Sequence, residues 1–518
     1  MSGRVSSLHL GLLAISLVCI VRPAAAQGET PDDEVTREVL RFTRVYATIQ
    51  ENFMDPVNSE QAIYDGGIRG ALTDLDPFSN FFDPDQFEQL KQFTVGKTKG
   101  FGTVLYVQPG KVLVLQTAEG SPSRRAGLGP GDEIVSVNGA RVERLDLQSL
   151  IDLLQRSRSQ TARLGVIRPG KVVSEDFELH PAEIPSPSVD KAFALAPAIG
   201  YLHLNAFDLM TPQEIAEAVQ KLGGGSLQGL LLDLRDNRGG VLDAATAAAS
   251  LFLKPDLLVL TQRGRATPEK SFKTYEAPAR FDLPLVVLVN GTTASAAEVF
   301  VAALQEHDRA LIVGEPTFGK GVVESVSQLS HRTGLALTTA QYFTPSGRSI
   351  QRPLAGTALA DPEAGLRATA SPEFHTASGR PVAHGGGITP DVEILSPARD
   401  PWVSFLNQRG LFTAFASEYL TLHGKINEQF VPDETTLESF RGFLDRHRIR
   451  APEEFWGPDQ DYLKLRIQTE LVNLVFGLDV GEQLETRGDT QIKRALELFT
   501  KIDALLKPRA PALAVAPK

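Results

Sequence analysis

Apolar residues recur along the chain at helical spacing in some regions and at strand spacing in others, and this pattern predicts the element order. Residues 34–93 carry apolar side chains at helical intervals, interrupted by LDPFSNFFDPD, where Pro77 and Pro84 are expected to stop helices. From Gly100, short apolar runs separated by glycine-rich turns predict β-strands instead. The change of period indicates a boundary between a helical region and a β-rich domain.

The middle of the chain alternates strand and helix. The runs QGLLLDLR (228–235), PLVVLV (284–289) and ALIVG (310–314) each read as a buried strand, and helical segments separate them. Thr211 to Glu214 matches a capping box that would open one of these helices. Such alternation is typical of a largely parallel sheet covered by helices. Residues 396–518 have apolar side chains at helical spacing and end in a proline-rich tail. They carry no tight cluster of histidines, cysteines or carboxylates.

Ser295 lies where the strand PLVVLV passes through a turn into a helix. Taken alone, a serine there is an ordinary helix N-cap. Lys320 lies in TFGKG after the strand ALIVG, and a lone lysine in such a loop is ordinarily a solvated charge. However, the ends of parallel strands meet at the sheet edge where α/β proteins build their sites, and a desolvated lysine can serve as the base for a serine nucleophile. The two residues together therefore suggest a Ser-Lys pair.

Composition narrows the function classes. The chain has 518 residues, too many for one hydrophobic core, so several domains are expected. Its net charge of −11 and the lack of a dense Lys/Arg run disfavour nucleic acid as a partner. The histidines lack metal-ligand spacing and no phosphate-binding loop is present, so neither a metal nor a cofactor is expected.

The first residues predict an export signal. Arg4 precedes an apolar run over 10–21, and Ala24 to Ala26 supply small side chains before a cleavage point, so residues 1–26 are interpreted as a signal peptide. We therefore expect an exported protein, most specifically a periplasmic one. The sole cysteine, Cys19, lies inside that segment, so the mature chain would have neither a disulfide nor a thiol nucleophile.

Residues 99–182 resemble a PDZ domain. The resemblance rests on Gly100-Phe101-Gly102 followed in order by Ser121-Pro122, Ala126-Gly127-Leu128, Gly131-Asp132-Glu133-Ile134 and Val137-Asn138-Gly139. It implies that the loop at Gly100, Phe101 and Gly102 receives the terminal carboxylate of a peptide added beside an edge strand. A helix predicted over 145–157 would close the groove, and the alternative is a small β domain that binds nothing.

The chain from about 34 to 395 resembles the carboxyl-terminal processing peptidases, which join a PDZ domain to a Ser-Lys peptidase core. The motifs that carry this resemblance occur in family order: LDPFS, the PDZ motifs, LDLRDNRGG, NGTTASAAE, VGEPTFGKG, YFTPSGRSIQ and GITPDV. It implies that Ser295 is the nucleophile and Lys320 the general base. The oxyanion donors would be the backbone N–H groups of Ala296 and of Gly239 or Gly240.

The resemblance also implies a multidomain α/β fold in which a PDZ domain precedes an α/β Ser-Lys peptidase core between helical terminal regions. The expected divisions are a signal peptide, an N-terminal helical region, the PDZ domain, the peptidase core, and a C-terminal helical region with a flexible tail. Their bounds are 1–26, 27–98, 99–182, 183–395 and 396–518.

Two positions depart from the family pattern. Glu324 stands where the family usually has a glutamine that orients the lysine, and Phe78 replaces a histidine and is interpreted as structural. An even separation on a strand would place Lys320 and Glu324 on one face, unless a β-bulge between them turned the carboxylate away. A carboxylate beside Lys320 would favour the charged lysine and oppose its role as a base.

Two functions follow. The favoured one is an exported serine endopeptidase that takes protein or peptide substrates with accessible C-termini and cleaves them through an acyl-enzyme. The alternative is a weak or inactive PDZ-bearing scaffold, or an enzyme that needs an activating adaptor, with Glu324 as the cause. A homo-oligomer formed through the helical terminal regions is a further expectation.

Overall fold

The structure is a computed structural model that describes residues 31–158, 160–354, 357, 359, 373–457 and 459–507. The expected signal peptide and the end of the C-terminal tail therefore lie outside the described residues. The chain divides into two compact units between Ile68 and Arg69. None of the helices within the described ranges combines the length and apolar character needed to cross a bilayer.

The first unit contains a long helix, α1 (Pro31–Asn52), and a π-helix (Gln61–Ile68). The second unit opens with α2 (Arg69–Thr73), β1 (Asn80–Phe82) and α3 (Pro84–Thr94). Pro84 was expected to stop a helix, but it is the first residue of α3. Asp83 caps that helix by accepting from the N–H groups of Asp85 and Gln86, and proline is tolerated at the first helical position because its missing N–H has no helical partner there.

The region predicted to be a PDZ domain is a small antiparallel sheet with helices. Its main sheet has the order β3-β4-β5-β7-β8, so β3 is an edge strand, and β2 pairs with β9 separately. Helix α5 begins one residue after Asp146, whose carboxylate caps it. The elements are β2 (Lys97–Gly100), β3 (Thr103–Gln108), β4 (Lys111–Thr117), α4 (Pro122–Arg125), β5 (Glu133–Val137), β6 (Ala140–Arg141), α5 (Leu147–Ser157), β7 (Ala162–Ile167), β8 (Ser174–Leu179) and β9 (Ala182–Pro185).

A mostly parallel sheet forms the centre of the next region, in the order β10-β11-β12-β15-β16-β21. Only the β10–β11 pair is antiparallel, and every residue of β12, β15 and β16 is buried, as expected for strands covered on both faces. The elements are β10 (Val189–Ala196), β11 (Ile199–Leu204), α6 (Thr211–Lys221), β12 (Gly229–Asp233), α7 (Leu242–Ser250), β13 (Leu258–Arg263), β14 (Lys270–Lys273), β15 (Leu285–Val289), α8 (Ala296–Glu306), β16 (Leu311–Gly314), β17 (Val322–Gln328), β18 (Gly334–Phe343), β19 (Phe374–His375), β20 (Pro381–Val382) and β21 (Val392–Glu393).

A second sheet joins β1 to strands from the middle of the chain. It runs β1-β18-β13-β14, and β17 also pairs with β18. The strands predicted at 228–235, 284–289 and 310–314 are confirmed by β12, β15 and β16. The capping box predicted at Thr211 is wrong, because the Glu214 carboxylate instead accepts from the N–H and hydroxyl of Ser188.

The C-terminal region is helical and has two parts. Helices α9 to α12 enclose an aromatic-rich core of their own, which includes Phe412, Phe440 and Phe443. Residues of α14 and α15 pack on the face of the parallel sheet away from α6, α7 and α8. The helices are α9 (Pro401–Gln408), α10 (Leu411–His423), α11 (Glu434–Arg446), α12 (Gln460–Phe476), α13 (Leu478–Gly488), α14 (Thr490–Leu498) and α15 (Ile502–Leu505).

Candidate active site

Ser295 occupies the turn between β15 and α8 in a conformation that an L-residue rarely adopts, with φ 57° and ψ −122°. An N-cap residue normally has extended backbone, so capping alone does not account for this geometry. The turn is tied to the loop after β12, since Ala294 N–H donates to Asn237 O at 2.9 Å and the Thr293 hydroxyl donates to Leu234 O at 2.8 Å. Strained backbone of this kind is characteristic of functional sites.

Lys320 lies in the loop between β16 and β17, and its side chain meets a carboxylate and an aromatic ring. Its Nζ is 2.9 Å from Glu324 Oε1, and both side chains are mostly buried, with 19% and 18% exposure. The same Nζ lies 4.5 Å from the centroid of the Phe78 ring. Phe78 therefore contacts Lys320 directly, which its interpretation as a purely structural residue did not anticipate.

The contact between Lys320 and Glu324 forms even though the register of β17 shifts between Val323 and Glu324. Lys320 precedes the strand rather than belonging to it, so strand alternation does not apply across the pair. The carboxylate and the cation both favour the charged state of their partner. The structure thus pairs the candidate base with a carboxylate.

Glu298 connects the Ser295 turn to the Lys320 loop from inside the protein. Its Oε2 accepts from the N–H groups of Ser295 and Lys320, each at 2.9 Å. Its Oε1 accepts from Gly319 N–H at 2.8 Å and from the Thr317 hydroxyl at 2.5 Å. Burial raises the pKa of this carboxyl to about 7, against the opposing effect of the hydrogen bonds.

The loop Asn237 to Gly240 lies against the Ser295 turn. A Cβ on Gly239 would come within 2.7 Å of Ala294 O, and one on Gly240 within 2.0 Å of Phe207 O, so both positions require glycine. Gly239 N–H donates to Asn237 Oδ1 at 2.8 Å. In the part of the chain that the structure describes, the N–H groups of Gly240 and Ala296 donate to no protein acceptor. Of the two glycines considered as oxyanion donors, Gly240 is the one with an available N–H.

These groups line one cavity of about 470 Å³. Its polar lining includes Ser295, Ala296, Gly240, Lys320 and Glu324. The remaining lining is largely apolar, and α3 supplies one part of it. No histidine is among the described residues of the lining. The apolar members include Phe82, Phe87, Leu90, Phe93, Val241 and Val326.

Three residues of this site were not identified from sequence as members of it: Phe78, Glu298 and Tyr342. Tyr342 lines the cavity, and its hydroxyl donates toward Lys320 O at 2.5 Å and Ser295 O at 3.2 Å. For Glu298, the sequence did offer a local signal: it lies three residues after Ser295, the position from which a glutamate side chain in a capping box reaches back to the N-cap. For Phe78 and Tyr342 no sequence pattern indicates which loop they contact.

A second concave site lies between the edge strand β3 and helix α5. It has a volume of about 430 Å³ and includes Gly100, Phe101 and Gly102 with apolar side chains of both elements. Phe101 and Gly102 have N–H groups with no protein acceptor among the described residues. Arg158 also lines the groove, where its guanidinium donates to the Thr98 hydroxyl at 3.3 Å. Within the described ranges, no cluster of side chains suited to a metal ion occurs.

Two family profiles match parts of the chain. A profile described as Peptidase family S41 matches residues 198–358, and one described as PDZ domain matches 113–168. A carboxyl-terminal-processing protease of Synechocystis sp. is 34% identical over 57% of this chain and 70% of that protein. A chloroplastic C-terminal processing peptidase of Tetradesmus obliquus is 31% identical over 62% of this chain and 77% of its own length.

Among solved structures, one titled photosystem II D1 C-terminal processing protease is 27% identical, over 68% of this chain and 86% of that chain, with a TM-score of 0.37. The family assignment therefore rests on the sequence matches. The chain belongs to the carboxyl-terminal processing peptidases, PDZ-containing serine peptidases of family S41.

Proposed function

We propose that this chain is an exported endopeptidase that cleaves C-terminal regions of protein substrates through an acyl-enzyme on Ser295. The observation that carries the proposal is the shared cavity, in which a strained serine at a helix N-terminus lies with Lys320, Ala296 and Gly240. A nucleophile, a candidate base and two available N–H donors are the parts that acyl transfer requires.

In the proposed reaction, Ser295 Oγ attacks the carbonyl carbon of the scissile peptide bond while unprotonated Lys320 Nζ accepts the hydroxyl proton. The N–H groups of Ala296 and Gly240 stabilise the oxyanion of the tetrahedral intermediate. Lys320 then gives that proton to the leaving amine, the C–N bond breaks and an ester to Ser295 remains. Water attacks the ester, with Lys320 taking its proton and returning it to Ser295 Oγ, which releases the new carboxyl terminus.

This reaction needs neutral Lys320, whereas the Glu324 carboxylate 2.9 Å from Nζ and the Phe78 ring both favour the ammonium form. Activity should therefore rise toward alkaline pH, or should increase when a substrate or an adaptor separates Glu324 from Lys320. The ion pair between Lys320 and Glu324 also supports the second candidate function, a weakly active or inactive peptide-binding scaffold, because a paired lysine is a poorer base.

Substrate selection would use both concave sites. The groove at Gly100 to Gly102 is suited to a peptide carboxylate, because it offers free N–H groups and the positive charge of Arg158 beside an edge strand. The cavity beside Ser295 is lined mainly by apolar side chains, so the substrate residue on the acyl side of the scissile bond should itself be apolar.

The deciding experiment combines hydrolysis with a Ser295-directed acyl probe. Hydrolysis of an unstructured peptide with an apolar C-terminus should be abolished in Ser295→Ala and in Lys320→Ala, while the exposed-lysine control Lys254→Ala keeps wild-type turnover. Probe labelling should occur in wild type and be lost in Ser295→Ala. Turnover in either site variant would remove the Ser-Lys mechanism, and no turnover or labelling in wild type across alkaline pH would favour the scaffold.

The remaining parts of the proposal concern location and partners. The segment 1–26 supports export, which N-terminal sequencing of the mature protein and fractionation would test. An activating adaptor would raise turnover at neutral pH when added to purified wild type. A homo-oligomer through the helical terminal regions would be detected by light scattering.

A further inference from the structure

Tyr342 projects from β18 into the space where the Ser295 turn and the Lys320 loop meet. It is 2% exposed, so its hydroxyl has no access to bulk water and must bond inside the protein. That hydroxyl lies 2.5 Å from Lys320 O and 3.2 Å from Ser295 O. One phenol thus lies within hydrogen-bond distance of the main-chain carbonyl groups of both proposed reacting residues, which share its single proton.

The same two main-chain segments are held from another side by Glu298, which accepts the N–H groups of Ser295 and Lys320. The peptide groups of the nucleophile and the base are therefore each bound once by an acceptor and once by a donor. Both partners are buried side chains on regular elements, Glu298 on α8 and Tyr342 on β18. The strained turn and the glycine-flanked loop are joined through these two side chains.

Tyr342 is also fixed independently of this contact. Its N–H donates to Gly321 O at 3.0 Å, so β18 lies directly against the Lys320 loop. Burial, together with the nearby carboxylates of Glu298 and Glu324, raises the pKa of the Tyr342 phenol well above its ordinary value. The hydroxyl consequently remains a hydrogen-bond donor over the whole pH range in which a peptidase would be assayed.

We propose that Tyr342 is a positioning residue whose buried hydroxyl sets the separation between the main chains of Ser295 and Lys320 and thereby the geometry of proton transfer between their side chains. The inference rests on the proposed Ser-Lys mechanism. Proton transfer requires hydrogen-bond reach, and a misplacement of about 1 Å can lower a rate by on the order of 100-fold.

The test is Tyr342→Phe, which keeps the ring and removes the donor. The control is Tyr201→Phe, because Tyr201 is equally buried at 2% exposure and its hydroxyl donates to Asp233 Oδ2 at 3.0 Å, outside the cavity lining. Peptide hydrolysis and the single-turnover rate of Ser295 acylation are measured per active site titrated. We expect kcat and the acylation rate of Tyr342→Phe to fall by about 10- to 100-fold with KM nearly unchanged. Tyr201→Phe should retain kcat within about twofold, whatever stability it loses.

Wild-type acylation per titrated site in Tyr342→Phe would overturn the inference, and so would a raised KM with unchanged kcat, which would make Tyr342 a substrate-binding residue. An equal loss of kcat in Tyr201→Phe would also overturn it, since any buried phenol would then have the same effect. The failure of the underlying mechanism is distinguishable, because it appears as turnover in Ser295→Ala or Lys320→Ala. In that case the inference about Tyr342 is overturned together with the mechanism on which it rests.

Discussion

Glu324 is the residue whose charge most directly affects Lys320. Replacing it by glutamine removes a negative charge 2.9 Å from Nζ and leaves a side chain of nearly the same shape. The amide lacks the charge that pairs with the ammonium form, so the alkaline limb of the kcat/KM profile should move to lower pH. Activity at neutral pH should increase, as measured by pH-rate profiles of wild type and Glu324→Gln side by side.

Glu324→Asp is the control for that experiment, because it keeps the carboxylate and should keep an alkaline midpoint. Superimposable profiles of wild type and Glu324→Gln would mean that Glu324 does not govern the protonation of the base. Screening is weak at this position because both side chains are mostly buried, so high salt should not reproduce the effect of the substitution.

The raised pKa of Glu298 should make the free energy of unfolding depend on pH. Its pKa is raised to about 7 in the folded protein, above the value of about 4.3 in an unfolded chain, so the folded state binds an extra proton between these values. This contribution to stability is fully present below about pH 4 and is lost as pH rises through 7, amounting to about 4 kcal/mol at most.

Urea unfolding of wild type and Glu298→Gln between pH 5 and 8 would measure this contribution. The unfolding free energy of wild type relative to the variant should decrease as pH rises, because glutamine does not titrate. The variant should be less stable than wild type overall, since its amide N–H₂ replaces an oxygen that accepts two hydrogen bonds. A constant difference between the two proteins across this range would contradict the raised pKa.

At the scale of elements, strand β3 and helix α5 form the groove of the PDZ domain. A peptide added beside β3 would place its terminal carboxylate near the N–H groups of Phe101 and Gly102. Amidation removes that charge, so an amidated peptide should bind at least about tenfold more weakly than the free acid. Fluorescence anisotropy with labelled peptides in the Ser295→Ala background measures this without cleavage.

Ile151→Glu provides the control, because Ile151 lines the groove and a carboxylate there should weaken both peptides. Equal affinity for amidated and free peptides in the protein with an intact groove would exclude capture of the terminal carboxylate. The domain could then still bind an internal segment.

At the scale of the whole second unit, the C-terminal helices complete the peptidase core. Ile492 and Ala495 of α14 pack on the sheet face that carries Tyr201, Leu231 and Val286. Just before that helix, Arg235 Nη1 donates to Asp489 Oδ2 at 2.8 Å. Because one face of the parallel sheet depends on this packing, the C-terminal region is part of the folded core. The region also reaches the PDZ domain, where the Tyr106 hydroxyl donates to Gly410 O at 2.5 Å.

Ile492→Ala should therefore lower the unfolding free energy by about 2 to 5 kcal/mol, the usual cost of removing a buried aliphatic side chain. The exposed residue Val480 of α13 offers the control, and Val480→Ala should stay within about 0.5 kcal/mol of wild type. Denaturant unfolding followed by far-UV circular dichroism measures both. Equal stability of Ile492→Ala and wild type would mean that α14 is dispensable to the sheet.

The sequence by itself determined the family, the α/β class with its PDZ domain, and the main strands of the core, such as 284–289 and 310–314. These are local properties, since apolar period, turn residues and ordered motifs are all readable along the chain. The roles of Ser295 and Lys320 were inferred in the same way and remain predictions.

Only the tertiary structure decided which distant groups meet. Glu298 contacts Lys320, Tyr342 contacts both Ser295 and Lys320, and Phe78 lies beside Lys320 Nζ, and each of these contacts joins segments that are far apart along the chain. Sequence patterns report which face of an element is buried, but not which partner covers it. The contact between Glu324 and Lys320 is an example. The register of β17 shifts just before Glu324, yet the carboxylate still reaches Lys320, because the lysine lies in the loop before the strand. The alternation of side chains along a strand therefore could not predict this contact.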